Sequence, residues 1–218
     1  VDDGFTQNIG MALSEDLLDW RRTSMRLASD PRWYEERSVP GDPTIHAWRD
    51  PFVFDHQDTP HMILAAKVKG APLGRNGAIA LLRAKDGGTR WEVMPPLLSP
   101  NWYSEMEVPQ LYHDQDGETW VAFSTWARND HATGTGGAGG FQAIRLGRDW
   151  WRSAGPSTAS DPVVLLPESS GLYACRVIPE LDGAIVGFDV ENGGLRRSDQ
   201  QVDWRAPVKP WIRADDPT

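Results

Sequence analysis

The stretch IGMALSEDLLDW (residues 9–20) decides the fold, because it recurs. Residues 77–91, GAIALLRAKDGGTRW, run the same way: alternating small and apolar residues, then an Asp that opens a turn, then a Trp. GGLRRSDQQVDW (193–204) repeats the ending with Ser198, Asp199 and Trp204, and FQAIRLGRDWW (141–151) is a looser copy closing on Trp150 and Trp151. In the three closer copies the step from Asp to Trp is four or five residues. Alternation followed by an Asp-opened turn reads as a strand, a tight turn, and a Trp that starts the next short strand.

Between these marks lie DPFVFDHQDTPHMILAAKV, VPQLYHDQDGETWVAFSTW and YACRVIPELDGAIVGFDV, each of which reads strand, polar turn, strand. The unit therefore has about four strands, and the Trp marks return roughly every 50–70 residues. No stretch of any length has helical periodicity; SEDLLDW is too short and sits inside the repeat. Four-stranded units repeated radially are the signature of a β-propeller. A β-sandwich is the alternative, and the recurrence of one motif favours the propeller. The reading is all-β, a single domain, with blades near 1–33 (partial), 45–98, 102–166 and 170–218. Asp50 and Glu107 each stand about forty residues ahead of the Trp that closes their unit. The matching position of the first unit falls some 20 residues ahead of Val1, so the chain is expected to be a piece of a longer protein.

Composition narrows the function. With 24% charged and 39% hydrophobic residues in 218, the chain has the make-up of a folded domain. A formal net charge of -9 argues against nucleic acid as partner and favours a small, neutral or weakly charged one. No apolar run reaches the ~20 residues of a membrane span. The lone Cys175 excludes an internal disulfide. Nothing at Val1 resembles a signal peptide, which leaves the compartment open with the cytoplasm favoured; oligomeric state is not readable. Eleven tryptophans are the outlier, suited to sheet cores and to sugar platforms.

In a propeller the first strand of each blade lines the central channel. The three first strands open on WRDPF, EMEVPQLY and GLYACRV, which bring Arg49 and Asp50, Glu105 and Glu107, and Tyr173 and Arg176 toward one funnel. Paired carboxyl groups in a sugar-sized cleft are what glycoside hydrolysis needs, one as nucleophile or base and one to protonate the leaving oxygen. Glu107 is preferred over Glu105 because Val-Pro follows it. Trp48, Trp102 and Trp126 are candidates for stacking on a sugar face, and Tyr173 is a candidate contact; most tryptophans are expected in blade packing. Asp50 before Pro51 also reads as a plain turn.

WRDP (48–51) resembles the Arg-Asp-Pro motif of glycoside hydrolase family 32, the β-fructofuranosidases. MEVPQLY (106–112) is similar to that family's Glu-Cys-Pro-Asp-Leu motif, with Val108 and Gln110 in place of Cys and Asp. IGMALSEDLLDW resembles its GHATSxDLxHW stretch, and LYA (172–174) its Phe-Tyr-Ala. The resemblance implies a five-bladed propeller that cleaves β-fructosidic bonds of sucrose or fructans with retention. It implies Glu107 as acid/base, Asp50 as transition-state stabiliser with Arg49 beside it, and a nucleophilic Asp in an Asn-Asp-Pro motif that does not occur in this chain. The related families 43 and 68 use three acidic residues at similar blade positions. In family 43 chemistry, on arabinose or xylose units, Asp50 would become a pKa modulator. A non-catalytic carbohydrate-binding propeller is the alternative from another class.

TGTGGAGG (133–140) holds a literal G-x-G-x-x-G, but a strand rather than a helix is expected after it, so it reads as a flexible loop overhanging the funnel. DQDGE (114–118) lacks the rest of a calcium loop, and the five His show no paired-ligand spacing. No catalytic metal and no cofactor are expected.

Overall fold

Strand β4 (Thr59–Lys67) shows how the repeat is built. Its run Met62–Ile63–Leu64–Ala65–Ala66 is buried throughout, because both faces of the strand meet apolar surface. Met62, Leu64 and Ala66 point into one hydrophobic cluster and Ile63 into another, as the two-residue period of a strand requires. A sheet packed on both faces against other sheets is the packing of propeller blades.

The computed structural model describes residues 5–88, 90–146, 150–151 and 160–205. Among these residues four antiparallel sheets follow one another in chain order. The first pairs β1 (Ile9–Leu13) with β2 (Arg21–Leu27). The second runs β3 (Trp48–His56), β4, β5 (Gly77–Lys85) and β6 (Arg90–Val93). The third contains β7 (Glu107–Asp114), β8 (Thr119–Thr125), β9 (Gly140–Arg145) and β10 (Val163–Leu166). The fourth is β11 (Leu172–Ile178), β12 (Ala184–Asp189) and β13 (Leu195–Gln201). The chain is all-β and its sheets are the blades of a β-propeller. The first-in-chain strands β3, β7 and β11 lie side by side. Among the described residues no helix is long and apolar enough to cross a membrane.

Among the described residues three clusters form the core, one for each junction between sheets. Leu27 of the first sheet packs with Leu64 and Leu82 of the second. Ile63 and Ile79 of the second meet Val121 and Phe123 of the third. Phe141 and Leu166 of the third meet Leu172 and Ile185 of the fourth. Each fully buried Leu, Ile or Phe contributes about 1.5–3 kcal/mol of transfer free energy. The β3–β4 hairpin closes on Gln57 and Asp58, both with positive φ (53° and 55°), which is the two-residue turn whose twist matches the strands. At the β7–β8 turn Asp114 accepts the Glu118 amide (2.9 Å) and the Trp120 indole N–H (2.8 Å).

Two expectations from the repeat are corrected. Trp204 does not start an outer strand of the fourth sheet. It begins β14 (Trp204–Arg205), which pairs with the far end of β7 opposite Asp114. Its ring stacks on Tyr112 and Trp120, so aromatic burial outweighs the local pattern. Trp150 and Trp151 sit in a turn well ahead of β10 rather than at its start. The loop 133–140 leads into β9, a strand, and Asp130 stitches it down. That carboxylate accepts the Gly139 amide (3.2 Å) and the Thr135 hydroxyl (2.9 Å). A Cβ on Gly140 would lie 2.1 Å from the Leu166 carbonyl oxygen, so only glycine allows this close crossing.

Candidate active site

The three strands β3, β7 and β11 open with the same irregularity. Each ladder slips by one residue, between Arg49 and Phe52, between Glu107 and Gln110, and between Tyr173 and Arg176. Within each bulge one non-glycine residue takes a left-handed backbone: Asp50 (φ 59°), Val108 (φ 49°) and Ala174 (φ 49°). Bulges re-aim side chains where strands begin. Here Arg49, Glu107 and Tyr173 occupy one equivalent position, and Asp50, Val108 and Ala174 the next. The sequence had matched Asp50 with Glu107; the ladders match Arg49 with Glu107.

The side chains at these heads converge. The Arg49 guanidinium donates from Nη2 to Glu105 Oε1 (2.8 Å) and Glu107 Oε1 (3.0 Å). From Nη1 it donates to the His46 carbonyl (3.2 Å) and Gln7 Oε1 (3.3 Å). Tyr173 donates its hydroxyl to Glu107 Oε2. Asp50 Oδ2 accepts the backbone N–H of Val108 (3.1 Å), the residue after Glu107, and lies 3.8 Å from Arg49 Nε. Asn129 donates to Glu105 Oε2 (3.1 Å). Residues far apart in sequence thus share one cluster of three carboxylates, one guanidinium and one phenol.

Burial sets the electrostatics. Glu105, 9% exposed, is pushed above the usual carboxylate range by desolvation, with the Arg49 hydrogen bond acting against it. Burial raises the Tyr173 phenol, and the adjoining Glu107 charge raises it further. Desolvation pulls Arg49 down, but its bonds to Glu105 and Glu107 outweigh this and leave it above its usual value. Arg49 therefore stays a cation that holds both glutamates in place. Trp126 lies flat on Tyr173, ring centroids 4.0 Å apart at 13°, with Arg128 over the Trp126 ring at 5.2 Å. The stack fixes the phenol against Glu107. The arrangement can hold a proton on one carboxyl while a second charge stays fixed nearby.

Arg49, Asp50, Glu105, Glu107 and Tyr173 are all brought together. Trp48 is not available to a sugar: it is fully buried, packs on Tyr34 and donates its indole N–H to the Leu27 carbonyl (3.0 Å). Alternation along β3 sends Trp48 into the blade junction. Trp102 is half-buried and packs against the core cluster between the second and third sheets. Gln7 and Asn129 were not legible in the sequence, since nothing in their neighbourhoods carries a motif. The recurring bulge was signalled weakly by Pro51 and Pro109, each directly after a left-handed residue.

Gln110, which stands where the resembled motif has Asp, is fully buried. Its amide donates to the Cys175 carbonyl (2.6 Å) and accepts the Val177 N–H (3.2 Å). An ionised Asp carboxylate could not donate, so Gln suits this position, where it joins β7 to β11.

A groove of about 660 Å³ runs along β1 and β2, lined by Thr6, Asn8, Arg22 and Arg26. None of the carboxylates of the cluster lines it.

No protein-family model and no curated protein sequence matches this chain. Its fold is similar to an exo-1,5-α-L-arabinanase from a bovine ruminal metagenomic library, with a TM-score of 0.52 and 19% identity over 90% of this chain and 75% of that one. It is also similar to a mutant levansucrase of B. megaterium, with a TM-score of 0.52 and 14% identity over 88% of this chain and 56% of that one. The chain thus spans a little over half the length of the levansucrase. At these identities the likeness is one of fold, and the fold is a β-propeller also found in an arabinanase and a levansucrase.

Proposed function

We propose that the protein is a glycoside hydrolase whose acid/base is Glu107 and whose transition-state stabiliser is Asp50. The observation that carries this reading is the convergence of Arg49, Glu107 and Tyr173 from three equivalent strand heads, with Asp50 held on the Val108 amide beside them. Glu107 protonates the leaving oxygen and then activates water. Arg49 and Tyr173 position its two oxygens. Asp50 hydrogen-bonds hydroxyls of the ring whose bond is broken, where charge develops. Glu105 is held by Arg49 and Asn129 on both oxygens and serves to orient Arg49.

The substrate class proposed is β-fructosides, sucrose or fructans, on the strength of the four motif resemblances. The nucleophile is a carboxylate outside the described residues, and a retaining reaction places it about 5–5.5 Å from the Glu107 carboxyl. A second reading, inverting cleavage of arabinan, is favoured by the likeness in fold to an exo-1,5-α-L-arabinanase. It calls for a separation of about 6.5–9.5 Å.

The test is Glu107→Gln in the complete protein, assayed on sucrose, inulin and arabinan. The variant is expected to lose kcat by about 10²–10⁴ with little change in KM. Substrates with activated leaving groups, which need no proton, are expected to recover most of the rate. An equal loss on good and poor leaving groups removes Glu107 from the acid role; Glu105→Gln then becomes the decisive variant. The 218 residues alone are expected to bind sugar without turning it over, and sucrose hydrolysis by this chain would overturn the placement of the nucleophile.

A further inference from the structure

The short turn Ala127–Asn129, which follows β8, reaches the carboxylate cluster at two places. Asn129, 3% exposed, donates its side-chain amide to Glu105 Oε2 at 3.1 Å. Trp126, the residue ahead of the turn, lies flat on the Tyr173 ring at 4.0 Å, and the Tyr173 hydroxyl donates to Glu107 Oε2. Arg49 occupies the other oxygen of each glutamate. Both glutamates are therefore held twice, once by Arg49 and once by way of this turn. Of its three residues Asn129 alone is buried, so packing does little to fix the turn itself.

Glu168 fixes it. Its Oε2 accepts the Ala127 backbone N–H at 2.5 Å, from a position 41 residues further along the chain. That N–H stands at the start of the turn, where the amides have no partner within it, and a carboxylate acceptor makes the stronger kind of hydrogen bond. Glu168 opens the turn Glu168–Ser170 between β10 and β11, and Tyr173 follows shortly after in β11. One hydrogen bond thus ties together the two segments that carry the stacked rings. Trp126 adjoins its donor, and Tyr173 lies just beyond its acceptor.

The glycine-rich loop 133–140 makes this contact possible. The Glu168 N–H donates to the Ala138 carbonyl (3.4 Å). A Cβ on Gly139 would lie 2.3 Å from Ala127 N and 2.8 Å from Glu168 Oε2, and φ at Gly139 is 59°. Only glycine lets the loop pass directly against the bond.

We infer that Glu168 is a positioning residue for the acid/base: by holding the Ala127 N–H it sets Trp126 against Tyr173, and through them it sets the Glu107 carboxyl. The kinetic part of this inference rests on the hydrolase reading; the geometric part does not. What the position needs is an oxygen acceptor at the right reach. A Gln side chain supplies one, an Asp keeps the charge but is one carbon shorter, and an Ala supplies none.

The test compares Glu168→Gln, Glu168→Asp and Glu168→Ala by NMR in the 218-residue protein with labelled tyrosine. The chain has four tyrosines, and Tyr173→Phe identifies the Tyr173 signal. Stacking on an indole displaces the ring resonances, and Trp126→Leu gives their unstacked position. Glu168→Asp and Glu168→Ala are expected to move the Tyr173 signal toward that position, whereas Glu168→Gln keeps it near the parent's. In the complete protein Glu168→Asp and Glu168→Ala are expected to lose about 10–10²-fold in kcat, as for a misplaced reacting group. KM stays nearly unchanged, and Glu168→Gln recovers most of the rate. An unmoved Tyr173 signal in Glu168→Asp and Glu168→Ala, even with a lower melting temperature, overturns the inference and leaves Glu168 a tie between loops. So does a loss in Glu168→Gln as large as that in Glu168→Ala, or a parent kcat in Glu168→Ala where Glu107→Gln is impaired. If Glu107→Gln keeps full activity the hydrolase reading fails, and the Tyr173 signal alone decides. Should Glu168→Ala not fold, Glu168→Asp against Glu168→Gln carries the same comparison.

Discussion

Asp50 shows how far a single residue can be argued. Its left-handed backbone is one that Asp tolerates better than most side chains, so a turn role is sufficient to explain it locally. Its carboxylate, however, accepts the Val108 amide across the strand junction, which ties it to Glu107. Asp50→Asn keeps an acceptor for that amide and removes only the charge. In the complete protein kcat is expected to fall about 10²–10³-fold, the loss seen when one preorganised group is removed, while the melting temperature holds. A near-normal rate would return Asp50 to a structural role. The sequence brought Arg49, Asp50, Glu107 and Tyr173 into view because Pro and apolar runs mark strand heads. It misassigned Trp48, because whether a strand's first residue faces the channel or the blade junction depends on the bulge that follows.

At the scale of elements, the recurring bulge is strained. Val108 is β-branched at φ 49°, where an L side chain costs about 1–2 kcal/mol, and strain of this kind collects where side chains are aimed at a site. Val108→Gly relieves it and gives back part of the gain as unfolded-chain entropy. A net stabilisation of roughly 0.5–1 kcal/mol, about 2 °C in melting temperature for a domain of this size, is expected by calorimetry; a lower melting temperature would show that the turn is relaxed. Gln110 makes the opposite contribution. Gln110→Leu leaves the Val177 N–H and the Cys175 carbonyl unpaired in the core between β7 and β11. It is expected to destabilise by about 2–5 kcal/mol, read as a shift in denaturation midpoint with unchanged slope. A neutral result would mean the two backbone groups find other partners. Neither energetic effect was visible in the sequence, since beyond the Pro51 and Pro109 that follow two of the left-handed residues the extra residue of a bulge leaves no mark on an alternating pattern of this length.

At the scale of the whole molecule, buried charge sets the pH dependence. Lys67 and Asp42 form an ion pair at 2.7 Å with both side chains 1% exposed, and Asn76 links Asp42 (2.7 Å) to Glu35 (3.0 Å). Glu35 Oε2 is buried without a partner. Desolvation raises the Glu35 carboxyl above its ordinary 4.5, partly countered by the Asn76 hydrogen bond. The folded state therefore holds this proton more tightly than the unfolded one. Its contribution to stability is present below pH 4.5 and is lost as pH rises through the window above that value. Glu35→Gln is expected to gain in melting temperature over the parent as pH rises from 4.5 toward neutrality; parallel curves for the two proteins would place the Glu35 proton elsewhere. The sequence by itself determined the all-β character, the blade repeat and the strand heads that carry polar residues. These follow from alternation and turn chemistry, which act over a few neighbouring residues. Only the tertiary structure decided which residue of each head enters the funnel and that Trp204 leaves its own blade for β7. Those outcomes depend on one-residue register slips and on contacts between sheets far apart along the chain, where burial outweighs any local preference.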